Sequence, residues 1–211
     1  MNVYDFDGTV YDGDSSIDFW RFCVRGHPSV FIKCFPRLAK GAVLYALGRI
    51  PKESWKERFF SFLEYIPADA NQVSFFWEKR SGRIKPWYLK QKQASDVIIS
   101  ASPAFLLGPL CERLGISLIA SEVDPATGRF TGLNCSGDEK VRRFRREFPD
   151  GTVDRFYTDS KKDLPMAAIA EQAYFVHKNT IRELRTGKQR SGPVSGEQGD
   201  HAEQAAENAP E

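Results

Sequence analysis

Residues 3–10 read Val-Tyr-Asp-Phe-Asp-Gly-Thr-Val, a short apolar strand that runs straight into two carboxylates, Asp5 and Asp7. Residues two apart on a strand point to the same side. Two like charges in one small space are costly unless a cation sits between them. The pair therefore calls for a hard divalent cation, most simply Mg²⁺. It also sets a nucleophile, Asp5, beside an acid/base, Asp7. Gly8 and Thr9 break the strand and expose backbone N–H groups.

Working outward, residues 2–6 are predicted to form a buried strand, and residues 15–25 a helix capped by Ser15 or Ser16. Helical patterns continue over 29–48, with an interruption at Pro36, and over 52–65, 69–81 and 86–94. The next strand signal is Asp96–Ile99, followed by Ser100-Ala101-Ser102-Pro103 and a helix to about Leu114. A third strand is expected at Ile116–Ala120 and a hairpin over 121–134, turning at Pro125–Gly128. A basic helix is expected over Lys140–Glu147 and a fourth strand at Asp154–Thr158, with a loop at Asp159–Pro165. A helix to about Glu171 and a short strand, Tyr174–Val176, complete the pattern. Strands alternating with helices argue for an α/β fold, a Rossmann-like parallel sheet with helices on both faces. The helical block is then an insertion after the first strand. The expected organisation is a core of 1–11 and 91–186, a helical cap of 12–90, and a tail of 187–211. The tail has almost no large apolar residue and is expected to be disordered.

Sixteen Phe, seven Tyr and four Trp in 211 residues supply enough aromatic bulk for a real core. The net charge of +2 gives no bulk-charge argument for nucleic acid. Cys23, Cys34, Cys111 and Cys135 lack metal-type spacing and read as free thiols of a reducing compartment. The opening residues read as a strand, not a leader, and no apolar run reaches the ~18–20 residues of a spanning helix. A cytoplasmic protein, or one peripheral to the membrane, is expected.

In an open α/β sheet, ligands bind beyond the carboxyl ends of the strands. Strand one ends in Asp5 and Asp7, the second in Ser100 and the fourth in Asp159-Ser160-Lys161-Lys162-Asp163, while Lys140 opens a helix. Together they offer acids for a metal, a hydroxyl and N–H groups for an anion, and one cation. That set, in that order, resembles the haloacid dehalogenase-like phosphohydrolase superfamily. The matching residues are DFDGTV at 5–10, VIIS at 97–100, Lys140, and DSKKDLP at 159–165. The resemblance spans about residues 1–180, and the insertion looks like the cap of the phosphoserine-phosphatase-like branch.

The resemblance implies a phosphatase acting through an aspartyl-phosphate on Asp5, with Asp7 as proton donor and then base. It implies Mg²⁺ held by an Asp5 oxygen, the Asp7 main-chain carbonyl and Asp159, with Asp163 and Ser160 supporting from behind. Ser100, Lys140 and the N–H groups at Gly8 and Ala101 would then hold phosphoryl oxygens. Ser102 either shares the role of Ser100 or caps the following helix.

The insertion points to the substrate. Between Phe19 and Lys52 there is no Asp or Glu, but there are Arg21, Arg25, Lys33, Arg37, Lys40, Arg49 and Lys52, interleaved with large apolar residues. Such a stretch suits either an anionic membrane surface or a cap helix pair with a solvated basic face. The segments NCSGDEK and YTDSKKDLP are similar to the bacterial phosphatidylglycerophosphatase branch, which implies a lipid phosphate as substrate. A soluble phosphorylated small molecule such as phosphoserine is the alternative, and a non-catalytic phosphate-binding regulator is the rival from another class.

Overall fold

The computed structural model describes residues 1–66 and 71–184, the side chains of Lys52 and Glu53 excepted; the tail expected over 187–211 lies outside these. Its centre is β1 (Asn2–Tyr4), which pairs in parallel with β2 (Val97–Pro103) on one side and β4 (Val153–Thr158) on the other. β3 (Ser117–Ser121) flanks β2 and β5 (Ala170–His177) flanks β4, giving the order β3-β2-β1-β4-β5-β6. The first five strands are parallel. β6 (Thr180–Leu184) is antiparallel to β5 and was not predicted. It is a largely exposed edge strand, so its sequence lacks the apolar alternation that marks a half-buried one.

Period-two alternation divides the core between two sheet faces. On one face Tyr4, Tyr157 and Tyr174 stack in series across β1, β4 and β5, with ring centroids 4.8 and 4.9 Å apart. Ile98 belongs to the same apolar cluster. On the other face Val3, Val97, Ile99 and Phe156 pack with Phe144 of α7 (Asp138–Glu147) and Met166 of α8 (Leu164–Ile169).

β1 is shorter than predicted because the Phe6 carbonyl leaves the ladder. It accepts the N–H groups of Thr9, Val10 and Tyr11 at 3.2, 2.9 and 2.9 Å, which curls the chain directly after Asp5. The helical segment between β1 and β2 follows: α1 (Ser15–Gly26), α2 (Pro28–Ala46), α3 (Lys52–Phe60), α4 (Gln72–Arg80) and α5 (Pro86–Gln91). A 3₁₀ turn, Ser61–Tyr65, extends α3. The N-cap of α1 is Asp14, not Ser15 or Ser16; its Oδ1 accepts the Ile17 N–H at 2.9 Å. α2 runs unbroken through Pro36. Its buried residues, Val30, Cys34 and Gly41, lie on both sides of the proline, so packing holds the two halves in line despite the lost hydrogen bond. α5 packs on the sheet, with Tyr88 edge-on to Tyr4 at 4.9 Å. α6 (Ala104–Leu114) joins β2 to β3.

The hairpin expected over 121–134 is reduced to a bridge between Val123 and Phe130 around an Asp124 turn. Its tip presses on the helical segment. A Cβ at Gly128, where φ is +73°, would lie 2.3 Å from the Phe60 carbonyl oxygen. All four cysteines are free and buried. Among the described residues, no helix is long and apolar enough to cross a membrane.

Gly128→Val combines a left-handed backbone with a clash against main chain. It is expected to cost about 1–3 kcal/mol, read as a lowered melting temperature, whereas Gly132→Ala should be near neutral.

Candidate active site

β1, β2 and β4 deliver their carboxyl ends to one place, the point where the strand order reverses. A cavity of about 500 Å³ opens there, lined by Asp5, Asp7, Ser100, Ala101, Lys140, Asp159, Ser160 and Asp163 from the predicted set. Ser102, Ser136 and Lys162 also line it from the sheet side. The helical segment contributes Asp14, Ser16, Ile17, Trp55, Lys56, Phe59 and Phe60.

Lys140 sits at the base, 2% exposed. Its Nζ donates to Asp5 Oδ1 and to Asp163 Oδ2, each at 2.7 Å. Burial pulls its pKa down, but the two carboxylates outweigh burial and leave it raised. Asp163 also accepts from Thr158 Oγ1 at 3.0 Å, which ties the turn after β4 to its own strand. Ser160 caps that turn by accepting the Lys162 N–H at 3.2 Å. Asp5 is buried, and burial raises its pKa against the pull of Lys140.

Asp7 is held differently. Its Oδ1 accepts the Ser15 N–H at 2.6 Å and its Oδ2 accepts the Ser102 hydroxyl. Burial, then the nearby Asp14 carboxylate, push Asp7 up to about 7 against those hydrogen bonds. Ser102 therefore does not cap α6, whose N-cap is Pro103. It aims the Asp7 carboxylate, steadied by the Ser15 and Ser16 hydroxyls at 3.3 and 3.0 Å. Ser100 Oγ accepts the Ser102 N–H at 3.1 Å, which leaves its own O–H free to rotate toward an anion.

One expectation changes at this level, and one residue is new. The Gly8 N–H donates to the Gly13 carbonyl at 2.9 Å, and Gly8 does not line the cavity, so that N–H is taken up within the loop. What Gly8 supplies is space: with φ at +74°, a Cβ there would lie 2.0 Å from Asp159 Oδ2. Lys56 was not foreseen. It reaches from α3 to the Ala101 carbonyl at 3.1 Å and to Asn134 Oδ1 at 2.8 Å, bridging the helical segment to the sheet. An amphipathic helix with several cations gives no sequence signal for which one turns inward.

The donor set suits a divalent cation. Asp5 and Asp163 share the Lys140 ammonium, and Asp159 lies close enough to feel both carboxylates, so acidic groups crowd the buried end of the site. Burial, then Asp5 and Asp163, lift Asp159 to about 6. Among the described residues, no three acidic, histidine or cysteine side chains stand together as a ready metal cage. The Asp7 side chain is turned toward Ser15 and Ser102.

Comparison with known proteins gives the same architecture. The family model for haloacid dehalogenase-like hydrolases matches residues 3–168. Protein CicA of Caulobacter vibrioides is 29% identical over 188 residues, covering 81% of this chain and 82% of that protein. A protein of unknown function from Bordetella pertussis Tohama I superposes with a TM-score of 0.63 at 20% identity, covering 82% of this chain and 87% of that one. A probable phosphoserine phosphatase from Vibrio cholerae gives 0.58 at 15% identity, covering 82% and 55%. These two structures share the fold. With the family match spanning β1 to α8, and Asp5, Asp7, Lys140 and Asp159 meeting around one cavity, this chain belongs to the haloacid dehalogenase-like hydrolase family.

Proposed function

We propose that the chain is a Mg²⁺-dependent phosphomonoester phosphatase that works through an aspartyl-phosphate. The observation that carries this reading is the Lys140 brace on Asp5, set beside an Asp7 whose carboxylate is aimed by Ser102 and Ser15. In this reading residues 1–11 and 91–186 form the catalytic core and 12–90 the cap.

Lys140 holds Oδ1 of Asp5, which leaves Oδ2, approached by Thr9 Oγ1 at 3.4 Å, as the attacking atom. An Asp5 oxygen bonds to phosphorus as the ester P–O bond breaks, and Asp7 gives its proton to the leaving oxygen. Asp7, now ionised, takes a proton from water, which attacks phosphorus and breaks the bond to Asp5. Ser100, the Ala101 N–H and Lys140 hold the phosphoryl oxygens. A divalent cation, when bound by Asp5, the Asp7 main-chain carbonyl and Asp159, supplies neutralisation of phosphoryl charge. Asp163 keeps Lys140 in place from the far side.

For the substrate, the cap wall favours a phosphomonoester with an apolar body, such as a lipid phosphate. Ile17, Trp55, Phe59 and Phe60 form that wall. The two charged cap residues beside them each have a protein partner, Asp14 Oδ1 the Ile17 N–H and Lys56 Nζ the Ala101 carbonyl and Asn134 Oδ1. A soluble ester such as phosphoserine would need a charged pair for its amino-acid head.

Asp5→Asn is expected to abolish phosphate release from p-nitrophenyl phosphate; retained activity refutes the covalent step. In a panel of lipid phosphates, sugar phosphates and phosphoserine, the highest kcat/KM is expected for a lipid phosphate, and a clear preference for phosphoserine overturns that part.

Ser102→Ala removes one charge-assisted hydrogen bond from Asp7 and should lower kcat about 10–100-fold with little change in KM. Chelation should stop turnover. Added Mg²⁺ should raise the melting temperature of the wild type but not of Asp159→Ala, a readout independent of activity.

A further inference from the structure

Of the eleven large apolar side chains exposed among the described residues, six lie on α2 or directly after it: Phe31, Ile32, Phe35, Val43, Tyr45 and Leu47. Exposure is highest at Ile32 (75%), Leu47 (61%), Val43 (58%) and Phe35 (52%). At about 100° per residue these four fall within one arc of roughly 120°. The buried residues Val30, Cys34 and Gly41 lie on the opposite side of the helix. α2 thus has two apolar faces: one is packed, and the other is bare along most of a helix about 28 Å long.

The charges beside the bare stripe have one sign. Lys33 and Lys40 are exposed along its flank, and Arg25 and Arg49 are exposed near its two ends. No acidic residue occurs from Phe19 to Pro51. Glu64 is paired with Arg37 of α2 at 2.9 Å. No helix among the described residues is long and apolar enough to cross a membrane. An apolar stripe edged by Lys and Arg is the pattern of a helix lying in a lipid interface.

We propose that α2 is a docking face for an anionic lipid bilayer, with Ile32, Phe35, Val43 and Leu47 entering the interface and Lys33 and Lys40 meeting lipid phosphates. The proposal stands apart from the catalytic reading, because no residue of the stripe lines the cavity. It nevertheless bears on access. Tyr45 of α2 stacks on Trp55 of α3 at 6.3 Å, and Trp55 is part of the cavity wall. A docked α2 brings the apolar side of the cavity close to the bilayer.

The test uses the full chain with vesicles of phosphatidylcholine alone or enriched in phosphatidylglycerol. Co-sedimentation is expected with the anionic vesicles only, weakening as salt is raised. Lys33→Glu with Lys40→Glu should weaken binding at least fivefold for each cation removed. The quadruple variant Ile32→Ser, Phe35→Ser, Val43→Ser and Leu47→Ser should stay in the supernatant. Its circular dichroism, and any turnover of soluble p-nitrophenyl phosphate the wild type shows, should be unchanged. Asp5→Asn should bind like wild type, which separates this proposal from the catalytic one. Absence of binding to anionic vesicles overturns the proposal, as does binding that ignores the stripe. A dimer dissolved by the quadruple variant, without vesicle binding, overturns it in favour of a second copy of the chain.

Discussion

One buried ammonium group holds the functional end of this molecule together. Lys140 stands 2.7 Å from Asp5 at the end of β1 and 2.7 Å from Asp163 in the turn after β4, and it rises from the first turn of α7. Three elements distant in sequence therefore meet at one nitrogen. Removing one partner of such a buried pair typically costs about 3–5 kcal/mol, because the remaining charge is stranded. Apolar residues would fill the same space without that liability. The brace makes sense only where charge itself is wanted, and Asp5 is where it is wanted. One turn further along α7, Arg143 donates to the Ala120 and Leu133 carbonyls at 2.6 Å each, binding the end of β3 to the foot of the hairpin. A helix that reads as a solvated basic run thus carries two inward cations that organise the carboxyl edge of the sheet.

The contrast explains what could be read from the chain. Asp5, Asp7, Ser100 and Asp159 were legible because each follows a strand, and strand ends on one edge of a parallel sheet must converge. Lys140 needed the motif order, since DEKVRRFRRE offers five cations and no sign of which is buried. Ser102 was ambiguous for a related reason. Its grip on Asp7 depends on β2 continuing to Pro103, beyond the apolar run that marked the strand. Asp14, which both caps α1 and repels Asp7, was passed over for the serines beside it. Lys56 and β6 left no local trace, because an inward turn on an amphipathic helix and an exposed edge strand are decided by tertiary packing.

Gly8 shapes the site through space and not through its N–H. The loop after β1 folds back so tightly that the Gly8 N–H is spent on Gly13, and Lys85 donates to the Gly8 carbonyl and, at 2.7 Å, to that of Lys178. The glycine is required because Asp159 must lie against the chain at that point. Burial, and then the neighbouring Asp5 and Asp163 carboxylates, raise Asp159 in energy. That strain is relieved by any cation placed between them, so the loop geometry and the electrostatics press toward one chemical outcome.

The helical segment has the opposite character. At the carboxyl ends of the strands Asp5, Asp7, Lys140 and Asp163 have defined partners, whereas the wall facing them sets Ile17, Trp55, Phe59 and Phe60 beside Asp14, Ser16 and Lys56. Such a wall discriminates weakly between related apolar groups, since a single methylene in a hydrophobic pocket is worth only about 1–3 kcal/mol. Selectivity for a substrate with an apolar body would then come mainly from where the enzyme is held. The bare stripe of α2, one stacked ring pair away from Trp55, would in the proposed docking supply a means of being held. In the proposed reading, chemistry set by a rigid charged brace and choice of substrate set by location would divide the work between the two parts of the chain.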